Sequence, residues 1–369
     1  MSLIASRMAK LDASGIRKVF DLAQKMTDPV NLSIGQPDFD VPDAIKEAAV
    51  KAIRDGFNRY TVTQGSEELR AKLLAYLRRE KKVGDGKLLI TSGVSGALML
   101  AFLTLLEPGD EVLIPDPYFV MYKHLTNLAG ATPRFIDTYP DFRVKAEQVA
   151  AAVTPRTKLL VLNSPTNPTG AVATKGELGA IAEVAHRHHL LVISDEIYDS
   201  FCYDEPYVSM ASLYPRTLLM GGFSKSHAMT GWRLGYAFGP PAVIEAMTML
   251  QQYSFVCAPS FAQVAALTAL DCPTDSNCKA YRHKRDLVYE ALRQEFEVVR
   301  PGGAFYIFPK APWGTGQDFV EAAIRNNVLV IPGSVFSERD THFRISYAAP
   351  DDVLERGVEI LNRVARRGA

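Results

Sequence analysis

Leu218-Leu219-Met220-Gly221-Gly222-Phe223-Ser224-Lys225-Ser226-His227-Ala228-Met229-Thr230-Gly231-Trp232-Arg233-Leu234-Gly235 sets a short apolar run against a glycine-framed polar loop. The apolar run reads as a buried strand, too short for a helix of its own. The loop holds one lysine, hydroxyl residues and one arginine. A lysine that is to form a Schiff base must be desolvated and held beside cationic or dipolar neighbours, so that its amine is nucleophilic near neutral pH. Arg233 offers a rigid fork that suits phosphate. Together they point to pyridoxal phosphate, whose aldehyde needs an amine and whose phosphate needs donors. By itself the loop also reads as a surface turn with ordinary charges, so the remaining partners must come from elsewhere in the chain.

The same figure recurs upstream. Leu88-Leu89-Ile90 runs into Thr91-Ser92-Gly93 and a helix from Ser95 to Leu106. Glu111 to Ile114 ends at Pro115-Asp116-Pro117, with a helix from Tyr118. Lys158 to Leu162 ends at Asn163-Ser164-Pro165-Thr166-Asn167-Pro168-Thr169-Gly170, and Leu190 to Ile193 ends at Ser194-Asp195-Glu196. Near-continuous apolar strands alternating with helices predict an α/β fold, a mostly parallel sheet covered on both faces. In such sheets ligands sit beyond the carboxyl ends of the strands, where these polar residues fall.

Toward the N-terminus, Ile16, Val19, Phe20 and Ala23 predict a helix over Ala13 to Ala23. An extended loop from Asn31 to Pro42 contains Ile34-Gly35-Gln36-Pro37-Asp38. Helices from Pro42 to Asp55 and from Ser66 to Lys82 flank a polar loop, Tyr60 to Gly65. Past Asn277 the texture changes: a charged helix (Lys279 to Gln294), an alternating strand (Gly302 to Phe308), a helix (Asp318 to Asn326), a strand (Phe343 to Ser346) and a last helix (Asp351 to Arg366). The expected division is an N-terminal segment, 1–40, packing with a smaller α+β domain, 277–369, and a large cofactor-binding domain, 41–276.

Composition closes several doors. Of 369 residues, 47% are hydrophobic and 22% charged, ample for a core. Lys+Arg and Asp+Glu are both 41, so no basic excess argues for nucleic acid and no polybasic run for a membrane surface. No segment reaches transmembrane length without charges. Cys202, Cys257, Cys272 and Cys278 lack metal spacing and read as free thiols, which fits a cytoplasmic enzyme. The histidines His186, His188 and His189 close an amphipathic helix, where a solvated turn is the expected role and not a metal site.

A pyridine ring is an electron sink only while its nitrogen is protonated, which calls for a buried carboxylate. Asp195 stands at such a strand end; it could instead cap a following helix. Tyr198 and Asn167 could hydrogen-bond the ring oxygen, although an Asn-Pro pair favours turns in any case. Ser92-Gly93-Val94-Ser95-Gly96, between strand and helix, can offer backbone N–H groups to phosphate. It is neither a Walker loop nor a dinucleotide fingerprint. Arg344, inside an apolar strand, calls for an anionic partner, either a structural carboxylate or a substrate carboxylate.

These segments, Asn163–Gly170, Ser194–Tyr198, Gly222–Gly235 and Phe343–Ser346, occur in the order found in the class I/II aminotransferases of fold type I, which the chain resembles over nearly its whole length. The subgroup it resembles is the prokaryotic aspartate/aromatic one, through Ser14-Gly15-Ile16-Arg17, with Ile16 lining the side-chain pocket. The resemblance implies a large domain with a mostly parallel seven-stranded sheet flanked by helices. It implies a ping-pong transfer of the α-amino group of an L-amino acid to a 2-oxo acid, 2-oxoglutarate by analogy. Lys225 would carry the cofactor and shuttle the proton, with Asp195 on the ring nitrogen and Asn167 and Tyr198 on the ring oxygen. Val94, Ser95, Ser224 and Arg233 would hold the phosphate, and Phe119 would stack on the ring. Gly35, Asn167 and Arg344 would bind the α-carboxylate. Tyr60 would reach the neighbouring active site of a homodimer. One departure is Gly222, where many relatives carry a hydroxyl residue.

C–S β-lyase chemistry uses the same scaffold and the same motifs. A pyridoxal-phosphate-sensing regulator is expected to add a DNA-binding module, for which the balanced charge gives no support, and an NAD-dependent dehydrogenase would need a glycine fingerprint, which the sequence does not show. Aspartate, methionine, aromatic and branched-chain donors all remain open, because no motif assigns a second cation for a distal carboxylate.

Overall fold

The computed structural model describes residues 3–11, 15 and 26–367. The helix expected over Ala13 to Ala23 therefore lies outside the described residues, apart from Gly15. A two-residue strand, β1 (Val30–Asn31), precedes β2 (Lys87–Ser92), β3 (Glu111–Asp116), β4 (Thr132–Asp137), β5 (Thr157–Asn163), β6 (Leu191–Asp195), β7 (Thr217–Gly222) and β8 (Leu234–Gly239). The last seven form one sheet in the order β2-β8-β7-β6-β5-β3-β4. Only β8 runs against its neighbours, β2 and β7; the other pairings are parallel. Being antiparallel to the same strand, β2 and β7 point the same way, so the carboxyl ends of all six remaining strands share one edge.

Both sheet faces are buried, which is why the strands read as unbroken apolar runs. Leu159 and Val161 of β5 and Leu191 and Ile193 of β6 face one way, packed with Leu98 and Phe102 of helix Gly93–Leu105 and Met247 of helix Pro241–Gln252. Leu160, Leu162 and Val192 face the other way, against Leu178, Ile181 and Ala185 of helix Lys175–Arg187. Each such leucine or isoleucine, fully buried, contributes about 1.5–3 kcal/mol relative to exposure. Polar residues follow as soon as each strand leaves this double cover.

Four elements depart from the sequence reading, the first three for physical reasons. Pro115 continues β3 instead of ending it: pairing with β5 stops at Leu113, so the missing N–H of proline interrupts no bond on that side. The segment Gly302 to Phe308 forms a strand only at β9 (Tyr306–Ile307), and its alternation does not mark exposure, because every residue from Gly303 to Phe308 is buried. β4 and β8 carry no mark in the sequence reading; each is short and contains Gly or Pro. The helix after Pro117 starts at Met121, not Tyr118.

The C-terminal elements build a second apolar cluster. β11 (Ile331–Pro332), β12 (Phe343–Ser346) and β9 form an antiparallel sheet, and β1 pairs in parallel with β10 (Val328–Leu329). Helices Asp275–Leu292, Gly316–Arg325 and Asp351–Arg367 cover them. Thr315, in the Gly314-Thr315-Gly316 loop, caps the second of these helices by accepting a hydrogen bond from the Asp318 amide. No helix among the described residues is long and apolar enough to cross a membrane.

Candidate active site

A cavity of about 280 Å³ opens at the carboxyl edge of the large sheet. Gly35, Val94, Ser95, Phe119, Asn167, Asp195, Tyr198, Ser224, Lys225, Arg233 and Arg344 line it, so the fold brings these sequence-derived candidates together, while Ile16, expected at the side-chain pocket, lies outside the described residues. Tyr60 does not line it; its side chain is 83% exposed on the outer surface.

Strand register sets the centre. Asn163 ends β5 directly opposite Asp195, which ends β6. The Asn163 amide donates to the Asp195 carbonyl (2.9 Å) and accepts from the Asn167 N–H (2.8 Å), which ties the two loops together. After Asp195 the chain turns and enters no helix, so the capping reading falls. The Asp195 carboxylate is buried and accepts from the Tyr122 hydroxyl (2.8 Å) and the Ile197 N–H (3.3 Å). Burial pushes its carboxyl up to about 6, against the pull of those two donors.

Lys225 Nζ donates to the Gly35 carbonyl (2.6 Å) and lies about 6 Å from the Tyr198 and Phe305 rings. Burial, then the charges of Arg344 and Arg233, lower it to about 8, with Asp195 acting in the opposite sense. This is the desolvated amine that Schiff-base chemistry requires.

Arg344 sits in β12 with almost no exposure, sandwiched between the Tyr306 and Phe336 rings at 4.6 Å each. It donates to Asn167 Oδ1 (3.0 Å) and the Ser33 carbonyl (2.7 Å), and its Nε has no partner. No carboxylate among the described residues pairs with it, so the structural-carboxylate alternative is lost. A buried guanidinium with a free N–H and no anion is a receptor for one.

At the phosphate end, Val94 and Ser95 lie in the first turn of helix Gly93–Leu105, whose start carries no side-chain cap. Their amides are free to face an anion. Arg233 adopts a left-handed backbone (φ 54°) that turns its side chain back over this helix start, with Nη1 donating to the Thr230 carbonyl (2.9 Å). The approach is close enough that a Cβ at Gly93 (φ +68°) would stand 2.8 Å from Arg233 Nη2. Gly222 has a similar reason: a Cβ there would lie 3.1 Å from both the Gly235 Cα and the Leu234 carbonyl across the β7–β8 pair. A hydroxyl side chain at 222 would require those strands to give way.

Tyr122, Asn163, Tyr306 and Thr230 also line the cavity and escaped the sequence reading. Tyr306 exchanges a hydrogen bond with Tyr198 (2.9 Å between hydroxyls) while stacking on Arg344. Tyr122 stands in the aromatic run that supplied Phe119, and Asn163 opens the segment that supplied Asn167, so each lay one step from a marked position. The three histidines at the end of helix Lys175–Arg187 are exposed, and the described residues contain no cluster suited to a metal.

A perturbed lysine and carboxylate facing one cavity, with an anion-binding helix start at one end and a buried guanidinium at the other, define a pyridoxal-phosphate enzyme acting on amino acids. Comparison with known proteins agrees. Residues 27–361 match the family Aminotransferase class I and II. The chain is 39% identical to a probable aspartate aminotransferase of Methanocaldococcus jannaschii, over 98% of this chain and all of that one. It is 37% identical to aromatic-amino-acid aminotransferase 2 of Thermococcus litoralis, over 98% of each. It superposes on the aspartate aminotransferase from Thermus thermophilus with maleate at a TM-score of 0.95, 36% identity, covering 99% of this chain and 100% of that one. The chain belongs to the class I and II aminotransferases: it is a pyridoxal-phosphate-dependent transaminase of fold type I, using amino-acid and 2-oxo-acid substrates.

Proposed function

We propose that Lys225, Asp195 and Arg344 divide the work of transamination between them, with 2-oxoglutarate as the usual acceptor. The observation that carries this is the opposite perturbation of two facing groups: a lysine lowered to about 8 and a carboxyl raised to about 6 in one cavity. Pyridoxal phosphate supplies an aldehyde to capture an amine and a cationic ring that accepts electrons released at Cα. Asp195 keeps the ring nitrogen protonated, and Tyr122 holds the carboxylate in place through Oδ2. Asn167 and Tyr198 would bind the ring oxygen, and Phe119, which lines the same cavity, would pack against the ring. Ser224, Arg233 and the amides of Val94 and Ser95 hold the phosphate. Arg344, with Asn167 and the Gly35 backbone, receives the α-carboxylate. Lys225 Nζ would then take the proton from Cα and deliver it to the cofactor carbon that had carried the aldehyde.

We read the chain as a homodimer in which Tyr60 reaches the phosphate site of a second copy. Tyr60, Val62, Met249 and Tyr253 are all more than half exposed. They belong to one surface, since Gln251 donates to the Thr63 carbonyl (2.7 Å) and Ser260 to the Phe57 carbonyl (2.7 Å). An apolar patch of this kind favours a self-complementary interface. The division into 1–40, 41–276 and 277–369 belongs to the same reading, supported by the pairing of β1 with β10, as does a cytoplasmic location, supported by four free thiols. A panel of aspartate, methionine, aromatic and branched-chain donors against 2-oxoglutarate and pyruvate tests the assignment. We expect amino transfer that depends on the oxo acid; release of ammonia and pyruvate without one would oppose it.

A further inference from the structure

Tyr306 is buried, titratable and part of the active-site cavity, yet the division of labour among Lys225, Asp195 and Arg344 leaves it unused. Strand register puts it there. β9 runs antiparallel to β12 with Tyr306 directly opposite Ser346. Side chains two apart on a strand share a face, so Tyr306 and Arg344 are diagonal neighbours on one side of this small sheet. That is why the guanidinium carbon of Arg344 lies 4.6 Å from the centre of the Tyr306 ring.

The hydroxyl at the far end of the ring meets different partners. It lies 2.9 Å from the Tyr198 hydroxyl, and the two rings meet edge to face with centroids 5.6 Å apart. It also faces Gly35, where a Cβ would stand 2.7 Å from the Tyr306 oxygen. Contacts with Arg344, Phe305 and Tyr198 fix the ring, so it is the glycine that makes room. The Gly35 carbonyl in turn accepts the hydrogen bond from Lys225 Nζ. One phenol thus touches the guanidinium, the second tyrosine and the loop that holds the reactive lysine.

A phenol has one proton to give. With Tyr198 giving its proton to the ring oxygen of the cofactor, as proposed above, Tyr306 is the donor between the two hydroxyls. A hydrogen bond received strengthens the one given, because the shared oxygen is polarised. Burial holds the Tyr306 hydroxyl above its ordinary value, and the adjacent Arg344 charge acts in the opposite sense, which favours donation. The ring face works independently of the hydroxyl: lying over a planar guanidinium, it keeps the fork in one plane and away from water.

We propose that Tyr306 is a positioning residue with two separable tasks: its hydroxyl aligns Tyr198 toward the cofactor's ring oxygen, and its ring braces Arg344 for the α-carboxylate. Both tasks presuppose the placement of cofactor and substrate given under the proposed function. Tyr306→Phe removes the first task and keeps the second, whereas Tyr306→Leu removes both. In holoenzyme, the pH midpoint of the cofactor's near-ultraviolet to violet absorption change reads the state of the ring oxygen. Weaker donation from Tyr198 leaves that oxygen a better acceptor for the proton it shares with the Lys225 nitrogen, so the proton is held to higher pH. Tyr306→Phe should therefore raise the midpoint by roughly half a unit or more, about threefold in proton affinity. Its affinity for propionate, read from the change that the carboxylate causes in the same band, should stay within about twofold of the parent, while Tyr306→Leu should lose about tenfold. In a Tyr198→Phe background, Tyr306→Phe should move the midpoint no further, since the hydroxyl then has nothing to align.

An unmoved midpoint in Tyr306→Phe would overturn the proposal, as would a shift that adds in full to that of Tyr198→Phe. Equal loss of propionate affinity in the Phe and Leu variants would overturn it too, since that is general loosening of the site. If Tyr306→Leu fails to fold, Tyr306→Phe and the double variant carry the test. A parent enzyme that shows no such band sinks the cofactor reading itself, a result distinct from a normal parent band that Tyr306→Phe leaves in place.

Discussion

Burial perturbs Asp195 and Lys225 in opposite directions, because in each case it opposes the charged form. For Asp195 the consequence reaches stability. Its carboxyl titrates at about 6 in the fold against an ordinary 3.8, so the cofactor-free fold binds the extra proton more tightly than the unfolded chain does. Stability is therefore lost as pH rises from about 4 to about 6, and the full penalty, on the order of 3 kcal/mol, applies above that window. Asp195→Asn in cofactor-stripped protein should raise Tm at pH 7–8, with the gain vanishing below about pH 4, while the same variant should slow the half-reaction by several orders of magnitude. Thermal melts across that pH range check the first effect; a lower Tm for the variant at pH 8 would contradict it. A residue that destabilises its own fold is in keeping with a site poised for a cationic partner.

At the scale of elements, the contact between Arg233 and the start of helix Gly93–Leu105 depends on two residues at positive φ. Gly93→Ala would meet both backbone strain and Arg233 Nη2, and it should weaken cofactor binding roughly tenfold, about 1.4 kcal/mol. Gly56→Ala is the control: its φ is +90° but no atom lies within 4 Å of the added Cβ. Equal cofactor affinity in Gly93→Ala and parent would contradict the account. What was legible in the sequence follows the same logic. Strand ends such as Asn163–Gly170 and Ser194–Asp195 stand out because polar residues begin where double burial stops. Tyr122 and Tyr306 do not, because their importance lies in partners 73 and 108 residues away, Asp195 and Tyr198. β8 was hidden for a different reason: its antiparallel direction comes from a tight return after the Arg233 turn, which no apolar period records.

For the whole molecule, the proposed dimer makes the phosphate site a shared property. Tyr60→Phe should weaken cofactor binding about tenfold, the loss of one charge-assisted hydrogen bond. Mixing it with Lys225→Ala chains should restore tight binding in a fraction of sites, as cofactor titration would show. Unchanged affinity in Tyr60→Phe would remove the cross-subunit role. Beneath all of this lies one desolvated amine, Lys225 Nζ, at the carboxyl edge of the sheet. Borohydride reduction of the holoenzyme, followed by peptide mass spectrometry, tests it most directly. The account predicts the cofactor adduct on the peptide containing Lys225 and no adduct in Lys225→Ala; labelling of another lysine, or of none, would contradict it.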